Sequence, residues 1–219
     1  MKVGAVTGLL AEAKVAQRGG LIARPSGGIP AQTTSVAESL LREGAEALIS
    51  FGIAGALAPT LTPGSLLVPR AVIDERGTRY AVDSERRAEI TENLRQAGLS
   101  VEARDLLGAS EAAASPARKA ELHRVTGAVA VDLESHLVAA VAARAGKPFL
   151  VLRAVSDSAA QALPDAAIHG LAPSGKPALG RVLLSIACNP RQIPALIHLA
   201  GDTRHALDAL GSALQVIKF

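Results

Sequence analysis

Short apolar runs and stretches of helical period alternate along most of this chain. Residues 3–7, 47–51, 128–131 and 149–155 are continuous or nearly continuous apolar runs of strand length, and 65–73 and 101–107 are further strand-like segments. Between them, 33–42, 85–97, 116–124 and 133–145 carry helical spacing, with stops at Gly44, Gly98 and Gly146. Ser115-Pro116 reads as an N-cap followed by proline at the first helical position. Pro69 marks 65–73 as an edge strand or a bulge, because proline gives no ladder hydrogen bond. Gly52-Ile-Ala-Gly55 reads as a glycine-rich turn, and the proline- and glycine-bearing segment 163–177 as a loop, followed by helices over 179–187 and 193–214. This alternation predicts an α/β fold with a largely parallel, buried sheet. No repeat or low-complexity linker divides the chain, so residues 1–219 are expected to form one domain.

Composition narrows the picture. The chain has 219 residues, 49% apolar, which suffices for one substantial core, and only 2% aromatic, so that core must be aliphatic. The net charge of +3 comes from scattered basic residues, without the basic stripe or stacking aromatics of a nucleic-acid binder, so no nucleic-acid partner is expected. The single Cys188 excludes an internal disulfide and a multi-cysteine zinc site, and the five histidines show no metal-ligand spacing, so no metal or other cofactor is expected. The apolar N-terminal stretch is interrupted by Glu12 and Lys14, too soon for a signal-peptide core, and no uncharged run is long enough to span a bilayer. The expected compartment is a reducing cytoplasm.

Chemistry in such a sheet is sought at the carboxyl ends of strands. Glu12 follows the first strand, Asp132 and Glu134 follow 128–131, and Asp157 follows 149–155. Each acid alone is explained by a helix cap or a favourable charge at a helix N-terminus. Together they come from distant parts of the chain and can converge on one crevice. There is no complete GxGxxG, no GK[ST] and no GxSxG, so dinucleotide binding, P-loop chemistry and a serine nucleophile are not indicated.

Three segments carry a resemblance. They are Lys2-Val-Gly-Ala-Val-Thr-Gly-Leu-Leu-Ala-Glu12, then Ile49-Ser-Phe-Gly-Ile-Ala-Gly-Ala-Leu-Ala-Pro59, then Ala130-Val-Asp-Leu-Glu-Ser135 with Pro148-Phe-Leu-Val-Leu-Arg-Ala-Val-Ser-Asp157. In order and spacing they resemble the purine nucleoside phosphorylases and the methylthioadenosine/adenosylhomocysteine nucleosidases. The resemblance implies a single-domain, three-layer α/β/α fold with a central twisted mixed sheet, a small nucleoside as substrate, cleavage of its purine N-glycosidic bond, and a homo-oligomer. It also implies roles: Asp157 as acid to the purine, with Ser156 orienting the base; Glu134 on the ribose hydroxyls, with Asp132 and Leu133 beside the sugar; Glu12 on the attacking water, with Arg153 next to it. Ala112 and Ala113 stand where the family stacks an aromatic on adenine, and Ile29 lies on the 5′ side.

Phosphorylase relatives place Arg before the glycine-rich segment and Ser or Thr inside it, where this chain has Ser50 and Ile53. Since a phosphate dianion needs cationic donors, hydrolysis is the expected reaction; phosphorolysis and a non-catalytic nucleoside sensor are the alternatives. The tail around Asn189-Pro-Arg-Gln-Ile-Pro-Ala resembles the hopanoid-associated phosphorylase-like group. That resemblance implies adenosylhopane, a lipid-linked adenosine, as substrate and a peripheral approach to the inner membrane face through 193–214.

Overall fold

The computed structural model describes residues 1–168, 172–176 and 178–218. Its elements are β1 (Val3–Thr7), α1 (Leu10–Arg18), β2 (Ile22–Pro25), α2 (Pro30–Arg42), β3 (Ala47–Ala56), β4 (Leu66–Leu67), β5 (Ala71–Asp74), β6 (Arg79–Ala81), α3 (Ser84–Gln96), β7 (Val101–Glu102), β8 (Leu106–Gly108), α4 (Pro116–Thr126), β9 (Ala130–Asp132), α5 (Ser135–Arg144), β10 (Phe149–Asp157), α6 (Asp165–Ile168), α7 (Leu179–Cys188) and α8 (Ile193–Val216). The strands form one mixed sheet in the order β6-β5-β8-β9-β3-β10-β4-β7, with β1 pairing β3 and β2. Among the described residues, only β10–β4, β3–β9 and β5–β6 are antiparallel. Helices flank the sheet: α5 and α2 pack on each other and on the strands, while α8 lies on β10 and β3 with α1 and α3 alongside. The expected α/β architecture with a central mixed sheet is what forms.

Strand β3 is the spine. Its first half pairs with β1 (Val6 opposite Ser50), its second half with β9 (Gly55 opposite Val131), and β10 runs parallel along its other edge (Arg153 opposite Gly52). The main core is aliphatic, as the composition requires; Leu48, Ile49, Leu67, Leu106, Leu150 and Leu152 have at most 1% exposure. A smaller cluster of Leu57, Leu107, Ala109, Ala113, Leu122, Ala128 and Val131 fixes α4 near the end of β3 and the start of β9. Helix α4 begins as its sequence indicates: the Ser115 hydroxyl accepts from the Arg118 amide at 3.2 Å, and Gly127 closes the helix at φ +70°.

Three local expectations are corrected. The Gly52–Gly55 segment is not a turn but the continuation of β3, held by its ladder with β10. Segments 65–73 and 101–107 are each two strands rather than one. At Pro69, which lacks an N–H, the chain leaves its pairing with β10 and β7 and re-forms as β5 against β6 and β8; the 101–107 segment changes partners at the same level. Segment 163–177 contains the short helix α6, while residues 169–171 and 177, with His169 and Gly170 among them, lie outside the described residues. Helix α1 and strands β2 and β6 had no separate sequence signal. Among the described residues, no helix is long and apolar enough to cross a membrane.

Candidate active site

The site is assembled on the second half of β3. Glu12 is the third residue of α1, and its buried carboxylate spans two elements. Its Oε2 accepts from the Leu9 amide at 2.7 Å, which caps the helix, and its Oε1 accepts from the Ile53 amide of β3 at 2.8 Å. The cap explanation therefore accounts for one oxygen only. Glu134, at the start of α5, approaches from the other side: a Cβ on Gly8 would lie 2.6 Å from Glu134 Oε1 and 3.6 Å from Glu12 Oε2. Two carboxylates thus share the space above the glycine that follows β1. The loop carrying Ile29 is tied to the same strand end, since the Ser26 and Gly27 amides donate to Thr7 and Gly8 carbonyls. Ile29 itself precedes α2 and is exposed.

Arg153 is wholly buried in β10. Its guanidinium donates to Ser50 Oγ at 2.6 Å, Glu134 Oε2 at 3.2 Å and the Ile53 carbonyl at 3.1 Å, and forms an ion pair with Asp132 at 2.5 Å. No hydrogen bond joins it to Glu12 among the described residues; the two meet at Ile53, whose amide donates to Glu12 and whose carbonyl accepts from Arg153. Asp132, expected on the sugar side, has both oxygens occupied from within the protein: Ser135 donates through its amide and its hydroxyl, and Arg153 pairs with Oδ2. Asp132 holds the arginine, and the arginine holds Glu134. Ser135 Oγ also reaches Ser50 Oγ at 2.9 Å, closing a buried polar network in which serine hydroxyls replace water.

Electrostatics follow from this burial. Loss of solvent raises the pKa of Glu12; Arg153 and the amides of Leu9, Ile53 and Gly8 oppose it without cancelling it. Glu134 is pushed up to about 7, first by burial and then by the neighbouring Asp132 and Glu12, against the pull of Arg153. Burial also works against the charge of Arg153, but the three surrounding carboxylates outweigh it and keep it protonated. Because folded Glu134 retains a proton between about pH 4.5 and 7 that the unfolded chain gives up, stability falls as pH rises through that window. Thermal melts between pH 5 and 8 should show this decline, and Glu134→Gln should make it shallower, leaving the part that Glu12 contributes.

Asp157 ends β10 one step past a register shift. The ladder pairs Val155 with Ala54 but Asp157 with Gly55, and the extra residue, Ser156, lets the acid turn over β3. A Cβ on Gly55 would meet Asp157 Oδ2 at 3.1 Å. The Ser156 hydroxyl donates to Asp157 Oδ1 at 2.7 Å, and the other oxygen is ion-paired with Lys119 of α4. A cavity of about 70 Å³ opens here, lined by Ala112, Ala113, Leu133, Asp132, Lys119 and Asp157 among others. Asp157, Leu133 and the two alanines are therefore neighbours in space, as a base-binding corner requires. Among the described residues, no group of three His, Cys, Asp or Glu side chains is placed to hold a metal ion.

Residues 5–186 match the family described as the phosphorylase superfamily. The chain belongs to that superfamily. No curated protein matches it at a significant level. Solved structures do. A mutant 5′-methylthioadenosine/S-adenosylhomocysteine nucleosidase of Helicobacter pylori, holding 5′-methylthioadenosine in its active site, is 16% identical with a TM-score of 0.72, covering 99% of each chain. The futalosine hydrolase of the same organism is 17% identical with a TM-score of 0.72, covering 99% of this chain and 98% of its own. The S-adenosylhomocysteine nucleosidase of Streptococcus pyogenes is 17% identical with a TM-score of 0.73, covering 100% and 98%.

Sequence reasoning missed two residues of this buried cluster. Ser135 was hidden as a helix-start serine. Lys119 lay in a charged helix, where a solvated lysine is the ordinary expectation. Its signal was positional: Lys119 and Leu122 are three apart, and both are buried on the face of α4 turned to the sheet.

Proposed function

We propose that this protein hydrolyses the N-glycosidic bond of an adenosine derivative and releases adenine. The observation that carries the reading is the gathering of Glu12, Glu134 and Asp157, from separate parts of the chain, around Gly8 and the glycines of β3. Bond cleavage builds positive charge on the ribose and negative charge on the purine. Glu134 accepts hydrogen bonds from ribose hydroxyls and favours the cationic sugar; Asp157 serves the purine; Glu12, fixed by two amides, orients and deprotonates water. Ala112, Ala113 and Leu133 offer the base an aliphatic surface instead of an aromatic one.

Water is favoured over phosphate on electrostatic grounds. A phosphate dianion near Glu12 would meet Glu134 and Asp132 as well, against the one guanidinium of Arg153, which already serves those carboxylates. The Ile53 amide, a natural anion donor, is occupied by Glu12, and Ser50 is occupied by Arg153 and Ser135. Adenosylhopane is the substrate we infer from the likeness of the tail. A groove of about 720 Å³ between α1, α6 and α8 supports an apolar 5′ substituent; Leu9, Val15, Leu196, Leu199 and Leu207 line it, and it reaches Leu9, whose amide holds Glu12.

Adenine release from methylthioadenosine and adenosylhopane, measured side by side with phosphate varied, tests the reading. The expected result is free ribose product at a rate independent of phosphate, with adenosylhopane preferred. A phosphate-dependent rate giving a ribose 1-phosphate replaces hydrolysis with phosphorolysis. Adenine binding without release from any adenosine derivative would make the protein a sensor.

A further inference from the structure

Resting on the nucleosidase reading, the geometry points to Lys119 as the residue that charges Asp157 with the proton it delivers to the purine. Lys119 has no exposure, and its ammonium group has three acceptors: Asp157 Oδ2, the Ser158 carbonyl at 2.8 Å and the Gln161 carbonyl at 2.9 Å. Those partners use all three of its N–H bonds. Asp157 is bracketed in turn, with the Ser156 hydroxyl on one oxygen and Lys119 on the other. The labile proton already in contact with this carboxylate is that of the ammonium.

The step balances without a further reactant. As the bond between the purine N9 and the sugar C1′ breaks, its electron pair passes to the purine, and a proton moves from Asp157 to purine nitrogen. That proton is supplied by Lys119: its N–H bond breaks as an Asp157 O–H bond forms, and this O–H bond breaks in turn as the purine N–H bond forms, so Asp157 ends as it began and Lys119 is left as a neutral amine. Solvent returns its proton after adenine leaves. The lysine acts through Asp157 and is a positioning residue, whereas Asp157 is the group that meets the base. Its own orientation is fixed by the two carbonyls just after β10, which keep the ammonium aimed at the carboxylate while the cavity fills. Arg153 cannot substitute, because its charge is spent on Asp132 and Glu134 on the sugar side.

The test compares the full-length wild type with Lys119→Gln, Lys119→Ala and Asp157→Asn, using methylthioadenosine and adenosylhopane as probes. Lys119→Gln keeps donors for the Ser158 and Gln161 carbonyls, and circular dichroism should report an intact fold. Its kcat should fall about 10²-fold with KM changed less than roughly threefold, since a proton-transfer contribution resides in the chemical step. Methylamine or ethylamine in the tens of millimolar should restore at least about tenfold of the loss in Lys119→Ala and none in Asp157→Asn, a readout that a purely structural lysine would not move. Lys119 variants at full rate beside an inactive Asp157→Asn overturn this inference and leave the nucleosidase reading standing. Losses in the Lys119 variants that no amine rescues overturn it as well. A wild type that releases no adenine from either probe overturns the nucleosidase reading, and this inference falls with it.

Discussion

Asp157→Asn should reduce adenine release by about 10³-fold while leaving substrate affinity nearly unchanged. The amide keeps the volume of the acid and can still accept from Ser156, but it can neither carry nor pass a proton. The substitution also strips the Lys119 ammonium of its counter-charge in a site where the two side chains are 1% and 6% exposed. Removing one partner of a buried ion pair costs on the order of 3–5 kcal/mol, so the variant should melt earlier as well. Activity must therefore be compared well below its melting temperature, with the folded fraction measured by circular dichroism. If the folded variant released adenine at the wild-type rate, Asp157 would have no part in the chemistry, and the base corner would have to be sought elsewhere on β3.

The acids of the site were legible because strand ends are few and an acid after an apolar run is conspicuous. Glu12, Glu134 and Asp157 each stand at or shortly beyond a strand that the hydrophobic pattern marks; parallel pairing of β1 and β10 with β3 brings Glu12 and Asp157 to one end, while Glu134 arrives from β9, which runs antiparallel to β3. What the pattern could not show is which partner each acid takes. Arg153 was expected near Glu12 because the two are linked by resemblance, yet the fold gives its hydrogen bonds to Ser50, Glu134 and Ser135 and its ion pair to Asp132. That choice depends on α5 setting Ser135 against β3, a contact across 85 residues of sequence. Lys119 was hidden for the same reason: its helix is polar overall, and only the position of α4 over the small aliphatic cluster turns its one lysine inward. The paired strands at 65–73 and 101–107 were misjudged as single because apolar content does not report a change of partner.

The glycines of β3 illustrate the limit most directly, and they carry the second large effect. Gly52-Ile-Ala-Gly55 has the composition of a turn, but its glycines serve the acids that lie over the strand. A Cβ on Gly52 would sit 2.5 Å from the Glu12 carboxylate, at a backbone φ of +149° that side chains rarely adopt. Neither obstacle yields easily: the carboxylate is pinned by the Leu9 and Ile53 amides, and the φ is imposed within a strand paired to Arg153. Backbone strain of about 1–3 kcal/mol adds to the displaced carboxylate, so Gly52→Ala should lose roughly 2–5 kcal/mol of stability. Gly55→Ala is the informative counterpart. Its backbone lies outside the positive-φ region and its nearest atom, Asp157 Oδ2, is at 3.1 Å, so its fold should suffer less while the acid is pushed out of line. Denaturant unfolding and adenine release measured on both variants separate the two effects. Gly52→Ala should fail first in stability and Gly55→Ala first in kcat. Equal stability losses in the two would mean that the strand, and not the carboxylates above it, selects glycine at these positions.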